Sequence, residues 1–477
     1  MSQNKAELPN NTELPKKKFG LLTTIAMIAG IVIGSGVFFQ TPKVIRAVEG
    51  NIWYGAAGYF IVAFGIVFGG LTISQYAIKD DSVGGVISYC EAAWGKTLGY
   101  IAGWFQIVFY LPALVAVISW VAASYTFGLF GLPNLLTDPG AYVTNIKTWS
   151  PWLWLCTFAF MLGFYILNTF KTKWAGFYQS FSLVAKLTAI IVLALAGLFL
   201  GQPAAAIASA GNFPGSSAGL LAALGFIAFS YDGWMVAPSV AHEIKDSKKN
   251  LTFALVFAPL LVTVVYLAFY FGLVSFVGPQ AILDGVEPSM VLASTVFGNI
   301  GMKLVNAFVV VSITGTVNGL ILGYIRLPYA LALRNEIFMS KTLAKIDKKS
   351  DTPIASAILA FVIPCVWLFL HFASVDAQIM EWGWKFANGL EVDVLPIILM
   401  CFFMATLYFA VLVKKGGNPD GTFLEKYVYP ILALVGTFIV IYGAYTKKLF
   451  WPYLVISLVG IVAGIILRPK QSGKKDE

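Results

Sequence analysis

The chain has 477 residues, of which 58% are hydrophobic and only 12% are charged, and its mean hydropathy is +0.80. Soluble domains carry about 25% charged residues, so this composition excludes a globular enzyme with one membrane anchor and predicts a helical protein with many membrane spans. The net charge of +9 does not indicate nucleic-acid binding, because the basic residues lie in short loops between apolar segments.

Catalytic and metal-binding patterns are absent from the sequence. Cys90, Cys156, Cys365 and Cys401 lie in or beside different apolar segments without a CxxC pair, so we expect neither a disulfide framework nor a metal site. No Ser/His/Asp arrangement, phosphate-binding loop or pair of catalytic carboxylates stands out, so we expect no enzyme and no cofactor. A polar segment precedes the first span without a small-residue cleavage site, which predicts that no signal peptide is removed.

The apolar segments predict an all-α membrane protein with twelve transmembrane helices, since roughly 20 residues cross a bilayer. Residues 1–18 and 468–477 are polar and are predicted to be tails, and an amphipathic segment near 85–95 precedes the third span. The predicted spans are 19–41, 52–78, 97–127, 151–170, 174–200, 217–243, 251–277, 301–334, 353–372, 388–413, 427–446 and 449–467.

Lysine and arginine predict the orientation of these spans. With the N-terminus in the cytoplasm, the inner segments hold 23 of these residues and the outer segments hold 7, while Lys186 and Arg326 fall within spans. Cytoplasmic loops carry the excess of positive charge, so both termini are predicted to be cytoplasmic in a multi-pass protein of the plasma membrane.

The first span is interrupted in its middle by Gly34, Ser35 and Gly36. Small residues of this kind let two membrane helices pack closely, which is one interpretation. The other is a broken helix, whose second half begins near Gly36 and directs free amides and its positive dipole end at an anion such as a carboxylate. Backbone groups freed at this depth have to be satisfied by protein, water or a ligand.

The sixth span is interrupted in the same way by Ser230-Tyr-Asp-Gly233, five spans later. This spacing predicts two five-helix repeats, 19–200 and 217–413, followed by a helix pair at 427–467. An odd number of spans inverts the second repeat, and paired broken helices in inverted repeats are typical of a transporter binding site. The pair therefore favours a binding site over helix packing.

Asp232 and Lys186 are charged residues within otherwise apolar spans. Asp232 either caps the interrupted sixth helix or faces a cavity, where it could meet an amino group or a proton. Lys186 in the fifth span either extends to the membrane interface or places a fixed ammonium against the broken first helix. Arg326 is a candidate for a cytoplasmic gate pair, and Glu91 and Glu243 are interpreted as solvated or ion-paired residues near span ends.

Four motifs resemble the amino acid–polyamine–organocation superfamily. They are Ile33-Gly-Ser-Gly-Val-Phe, Ser82-Val-Gly-Gly-Val-Ile-Ser-Tyr, Phe229-Ser-Tyr-Asp-Gly-Trp and Glu243-Ile-Lys-Asp-Ser-Lys-Lys-Asn. The third motif and Lys186 resemble the L-type amino acid transporter branch, which includes bacterial exchangers of small neutral amino acids. The resemblance implies a leucine-transporter-type fold of ten core helices plus two.

The resemblance also implies roles for individual residues. The amides of Ser35, Gly36 and Val37 would hold a substrate carboxylate, and the carbonyls of Val32, Ile33, Phe229 and Asp232 would accept from its ammonium. The predicted substrate-binding residues are Val32, Ile33, Ser35, Gly36, Val37, Phe229, Ser230, Asp232 and Gly233. The predicted gate consists of Phe229 and Trp234, and the predicted coupling residues are Lys186, Thr314 and Thr316.

Lys186 matches the lysine that replaces sodium in such proteins and joins the first and eighth helices. The best-known animal members have glycine at the position of Asp232, so their side-chain specificity does not carry over. No cysteine stands where those members link to a partner glycoprotein, which implies that no such partner is obligatory.

These patterns favour a sodium-independent exchanger of L-amino acids, with neutral ones preferred. An amino acid/amine antiporter linked to decarboxylation and a proton-coupled symporter remain alternatives. A membrane sensor is disfavoured because there is no soluble signalling domain, and a channel is disfavoured because paired half-helices surround a closed site.

Overall fold

The computed structural model describes residues 17–34, 36–79, 84–136, 138–381, 392, 394–445 and 450–469. In this part of the chain the regular structure is entirely helical, with two isolated β bridges and no strand. The α-helices are α1 Leu21–Val32, α2 Gly36–Ala47, α3 Ile52–Lys79, α4 Val86–Trp94, α5 Lys96–Leu129, α6 Pro139–Thr144, α7 Ile146–Phe170, α8 Thr172–Leu200, α9 Pro203–Ser209, α10 Ser217–Ser230, α11 Ser247–Val277, α12 Pro279–Leu283, α13 Pro288–Phe297, α14 Gly301–Tyr324, α15 Arg326–Leu333, α16 Ser340–Leu343, α17 Ile354–Ser374, α18 Asp376–Ile379, α19 Val394–Leu412, α20 Tyr429–Tyr445 and α21 Phe450–Leu467.

Several segments depart from α-helical geometry. A π turn at Gln106–Tyr110 interrupts α5, another at Leu424–Val428 precedes α20, and a 3₁₀ helix spans Trp234–Glu243. Two further 3₁₀ turns lie at Ala210–Asn212 and Gly298–Ile300.

Nine helices of the described chain are long and apolar enough to cross a membrane, and each of the nine overlaps a predicted span. The other three predicted spans contain shorter apolar helices, at Leu21–Val32, Pro396–Leu412 and Leu454–Leu467. The amphipathic segment near 85–95 forms α4. The tails predicted at 1–18 and 468–477 lie almost wholly outside the described residues.

Local sequence explains where individual helices begin. The Asp138 side chain accepts a hydrogen bond from the amide of Ala141, and Pro139 occupies the first position of α6. The Ser216 hydroxyl caps α10 in the same way by accepting from Gly219. Both are ordinary N-caps, which satisfy amides that have no acceptor within the helix. The short helices α6, α9, α12, α13, α16 and α18 lie between the predicted spans and were not predicted.

The packing separates a central group of helices from a lipid-facing group. The most apolar windows of α5 and of Lys303–Leu333 are 83% buried, whereas those of α7 and α17 are 33% buried. Large apolar side chains are exposed along α7 at Trp152, Leu155, Leu162 and Ile166. In water such a stripe would be unfavourable, but hydrocarbon solvates it, so α7 lies at the edge of the bundle and α5 near its centre.

Candidate functional site

The first span is a broken helix. Helix α1 ends at Val32, Ile33 has non-helical dihedral angles (φ −75°, ψ 83°), and the chain resumes as α2 at Gly36. The last carbonyls of α1 and the first amides of α2 therefore have no partner within their own helices, and both sets lie in the middle of an apolar bundle. Ser35, a predicted binding residue, lies outside the described residues.

Side chains from two other helices, α8 and α14, satisfy the carbonyls at the end of α1. The Lys186 ammonium of α8 donates to the carbonyls of Gly30 (2.7 Å) and Ile33 (2.5 Å), and also to that of Ser312 (2.9 Å) on α14. The Ser312 hydroxyl donates to Ile33 and Gly34, and the Thr316 hydroxyl donates to Gly30 and Ile31. This end of the break is thus fixed by protein contacts, as the apolar surroundings require.

The sixth span is broken at the matching place. Helix α10 ends at Ser230, Gly233 has a left-handed conformation (φ +95°), and the chain continues as the 3₁₀ helix. A β-carbon on Gly233 would lie 2.4 Å from Cγ2 of Ile31, so glycine is needed both for the dihedral angle and for the close approach to α1.

One hydroxyl joins the two breaks. Tyr266 of α11 lies at hydrogen-bonding distance from the carbonyl of Val32 (3.2 Å) and from that of Ser230 (3.0 Å), the last residues of α1 and α10. Gly36 packs against Ser230 so closely that a β-carbon on Gly36 would lie 3.2 Å from the Cα of Ser230. The first turn of α2 consequently sits directly beside the second break.

A cavity of about 390 Å³ lies beside the two breaks. Its walls come from α2, from an apolar face of α5, from the second break and from α14. The lining residues are Ile31, Val32, Gly34, Gly36, Gln40, Lys43, Arg46, Leu114, Val117, Ile118, Val121, Tyr125, Leu136, Phe229, Ser230, Asp232, Gly233, Glu287, Ser289, Met290, Thr316, Leu320 and Ile397.

Asp232 contributes a carboxylate to this cavity. The hydroxyl of Tyr110, in the π turn of α5, lies 3.1 Å from each carboxylate oxygen. Of the two interpretations of Asp232, this position agrees with an acid that faces the cavity. A carboxylate beside an apolar wall can accept a hydrogen bond from a bound hydroxyl or ammonium group.

Six of the nine predicted substrate-binding residues line the cavity: Val32, Gly36, Phe229, Ser230, Asp232 and Gly233. Two do not. The Ile33 carbonyl already accepts from Lys186 at 2.5 Å, and Val37, which was predicted to bind through its amide, has a completely buried side chain. Of the two aromatic residues predicted as a gate, Phe229 lines the cavity, whereas Trp234 is buried next to Gly69 of α3.

Two of the three predicted coupling residues, Lys186 and Thr316, lie together at the end of α1, and the third does not. Lys186 is completely buried and bonded to carbonyls, so its side chain does not extend to the membrane interface. Thr316 joins it at the end of α1, but Thr314 does not, because its hydroxyl pairs with Tyr178 at 2.7 Å. Residues 312 and 316 share a face of α14, and residue 314 points away from that face.

Ion pairs close the bundle beyond the second break, at the end that holds Glu243. Arg326 donates to both carboxylate oxygens of Glu243, at 2.6 and 3.2 Å, and both side chains are completely buried. Lys18 pairs with Asp351 at 2.8 Å, and the amides of Lys18 and Phe19 donate to the Glu243 carbonyl. Glu91 pairs with Arg334 at 2.9 Å. Glu91 and Glu243 are therefore both ion-paired, which is one of the two roles expected for them, and Arg326 is the partner of Glu243.

The cavity extends in the opposite direction, toward Lys43, Arg46 and Glu287. None of the described residues in the Glu243 network lines it. The structure is thus closed at one end of the bundle, while the cavity reaches the other end.

Sequence analysis missed Tyr266, Ser312 and Tyr110, which fix the two breaks and hold Asp232. Each is one of several polar residues in a mainly apolar span, where nothing in the local pattern distinguishes it from a residue that bonds its own helix.

Comparisons with known proteins agree with this architecture. The serine/threonine exchanger SteT of Bacillus subtilis is 27% identical over 431 residues, which cover 89% of this chain and 90% of that protein. The mouse b(0,+)-type amino acid transporter 1 is 23% identical over 456 residues, covering 90% of this chain and 88% of the relative. The human large neutral amino acids transporter small subunit 2 is 26% identical over 371 residues, which cover 76% of this chain and 65% of that protein. The profile of the amino acid permease family matches residues 19–466, so this multi-pass membrane protein belongs to that family.

Proposed function

We propose that this chain is a sodium-independent exchanger of neutral L-amino acids that works by alternating access. The observation that carries the proposal is the paired break, at which Gly36, the first residue of α2, lines the same cavity as Asp232. Free amides at a helix N-terminus bind carboxylates, so Gly36 and its neighbours would hold the carboxylate of the substrate. The names of the relatives, which are exchangers and transporters of amino acids, support the same substrate class.

The substrate ammonium would lie at the opposite side of the breaks. The Val32 carbonyl accepts one hydrogen bond, from Tyr266, and retains a second lone pair. We assign the ammonium to Val32 and to the carbonyl of Phe229, and no longer to Ile33, whose carbonyl is occupied. The substrate side chain would then extend toward Asp232, Tyr110 and the apolar face of α5.

Lys186 supports independence from sodium. A sodium ion at a broken helix is bound by carbonyls and hydroxyls, and here an ammonium lies within 2.9 Å of three carbonyls between α1 and α14. A built-in cation at this place supplies the positive charge that an ion would otherwise bring.

The membrane arrangement completes the proposal. We propose twelve spans in the plasma membrane, with repeats at 19–200 and 217–413, a helix pair at 427–467, and both termini in the cytoplasm. The Glu243–Arg326 network would then be the closed cytoplasmic gate and Lys43 would face outward. All four cysteines lie within helices and none is exposed, which supports a protein without a disulfide-linked glycoprotein.

Counterflow in proteoliposomes tests the function. We expect labelled L-serine to enter rapidly when unlabelled L-serine is inside and slowly when the vesicles are empty, equally in sodium and in choline. Uptake into empty vesicles driven by a proton gradient would instead identify a symporter. The second candidate is the amine antiporter, which the cavity-facing Asp232 favours. Faster counterflow of decarboxylated amines than of amino acids would identify it.

Asp232→Asn tests the specificity of the pocket, because it removes the charge and keeps the shape. If Asp232 accepts from the substrate hydroxyl, the preference for L-serine over L-alanine in kcat/KM should fall about tenfold, since hydrogen bonds to charged groups contribute about 1.5–3 kcal/mol. Tyr110→Phe, which loses the hydroxyl that bonds to Asp232, should shift the preference in the same direction. An equal loss for both amino acids would contradict this role.

Phe229→Ala tests whether this ring is a gate. Its ring borders the cavity beside an unwound turn, and closure over bound substrate is a step that commits transport. We expect the maximal exchange rate to fall about tenfold, ~1.4 kcal/mol on the barrier, with a smaller change in the dissociation constant. Phe177→Ala, at an exposed position on α8, is the matched control. Equal losses of rate and affinity would show that Phe229 only contacts substrate.

A further inference from the structure

Polar side chains continue up one face of α2 beyond the two breaks. Gly36, Gln40, Lys43 and Arg46 all line the cavity and are separated by four, three and three residues, which places them on one side of the helix. At 1.5 Å of rise per residue, Lys43 lies about 10 Å above Gly36 along the helix axis. The backbone of Lys43 therefore lies about two helical turns above the Gly36 amides.

The cations on this face differ in how they are engaged. Arg46 donates to the Ile282 carbonyl and to Glu287, both at 3.0 Å, so it ties α2 to the segment that contains α12. Lys43 is exposed, and among the described residues its recorded contact is with the ring of Phe226, 6.0 Å from the ring centroid. Lys43 thus offers its charge to the cavity without an ion-pair partner in this part of the chain.

Gln40 provides a second, independent observation. Its side-chain oxygen is buried and has no hydrogen-bond partner within the described part of the chain, although the residue lines the cavity. A buried acceptor of this kind costs about 1–3 kcal/mol unless a ligand or water satisfies it. Gln40 and Lys43 are three residues apart, so their side chains are neighbours on the helix surface.

Phe229 lies nearer to the breaks than Phe226 does, because it directly precedes Ser230 on α10. Phe226, which contacts Lys43, precedes Phe229 by three residues on α10 and lies about one helical turn, roughly 4.5 Å, farther out. A ring that closes over the lower cavity would leave Lys43 and Gln40 on the outer side.

We propose that Lys43 and Gln40 form a separate outer binding site, above Phe229, that captures an amino acid before it reaches the breaks. The Lys43 ammonium binds the α-carboxylate, and the Gln40 oxygen accepts from the α-ammonium. Glu287, paired with Arg46 on the opposite wall, adds a negative charge that favours a zwitterion over a simple anion. This proposal rests on the amino acid exchange proposed above. The outer site affects the binding of external substrate and not its later passage through the protein.

A charge at the mouth of a cleft raises the association rate of an oppositely charged group, and salt screens the effect. Lys43→Met should therefore raise the KM for external L-serine about threefold to tenfold. The maximal rate and the KM for internal L-serine should stay unchanged. Added salt should raise the external KM of the wild type but not that of Lys43→Met.

The measurement uses right-side-out and inside-out membrane vesicles that contain the full chain, with saturating L-serine on the opposite side. Lys43→Arg should retain the wild-type external KM, because it keeps the charge. Lys147→Met is the matched control, since this lysine borders a different, membrane-facing groove between α7 and α17. Failure of the wild type to exchange L-serine would refute the proposed function, and the site with it.

With the wild type active, three results obtained with L-serine would overturn the outer site alone. They are an unchanged external KM in Lys43→Met, an equal rise of KM on both sides of the membrane, and a loss in Lys43→Arg as large as that in Lys43→Met. A loss confined to acidic amino acids, with L-serine unaffected, would assign Lys43 to the side chain of a bound substrate and would also overturn it.

Discussion

Gly36→Val should lower amino acid uptake at least about 100-fold while the protein still folds into the membrane. A β-carbon at residue 36 would lie 3.1 Å from the hydroxyl oxygen of Ser230 and 3.2 Å from its Cα, so the two branches of valine have no room. Overpacking of this kind costs about 1–3 kcal/mol, which a large bundle tolerates. The displaced amides of α2, however, would no longer meet a carboxylate, and misplacing a preorganised donor costs roughly 100-fold in rate.

Gly225→Val is the matched control for that experiment. Gly225 lies on α10, five residues before Ser230, and a β-carbon there would meet nothing within 4 Å. We expect Gly225→Val to transport normally, and both variants to give the monodisperse profile of the wild type in detergent. Normal uptake by Gly36→Val would refute the carboxylate site, and aggregation of Gly36→Val alone would show that Gly36 is needed only for packing.

The positions of the spans and of the two breaks were predictable from the sequence for the same physical reason. A membrane fixes the length of each apolar segment, and a Gly-Ser-Gly or Ser-Tyr-Asp-Gly segment in mid-span stands out because it places poor helix formers where backbone groups are costly to expose. Asp232 and Lys186 were equally visible, since a charge within a span is rare.

The side chains that stabilise the breaks could not be predicted in the same way. Tyr266 and Ser312 reach the end of α1 from α11 and α14, and only the packing of these helices brings them there. The prediction of Thr314 as a coupling residue beside Lys186 had a similar limit. A broken helix frees carbonyls, which attract the ammonium more directly than hydroxyls do, and the periodicity of α14 turns Thr314 toward Tyr178.

Lys186→Ala should lower the exchange rate of the protein about 5-fold to 150-fold. The ammonium is the bond donor shared by Gly30 and Ile33 of the broken first span and by Ser312 of α14. Ser312 and Thr316 still donate to Ile33 and Gly30 in the variant, so the bundle should fold, but the attachment of α1 loses its only charged donor among the described residues. Unsatisfied buried carbonyls cost about 1–3 kcal/mol. If this free energy shifts α1 away from its closed position, the exchange rate falls by the 5-fold to 150-fold given above.

The decisive measurement is initial counterflow of L-serine in proteoliposomes, with sodium replaced by choline, for the wild type and for Lys186→Ala. The wild type should be equally fast in both media, because its cation is covalently part of α8. Lys173→Ala is the matched control, since Lys173 is an exposed lysine of the same helix, and it should behave as the wild type. Sodium-dependent counterflow in the wild type would contradict the built-in cation. Full activity of Lys186→Ala would show that the three carbonyl contacts hold α1 in place without contributing to transport.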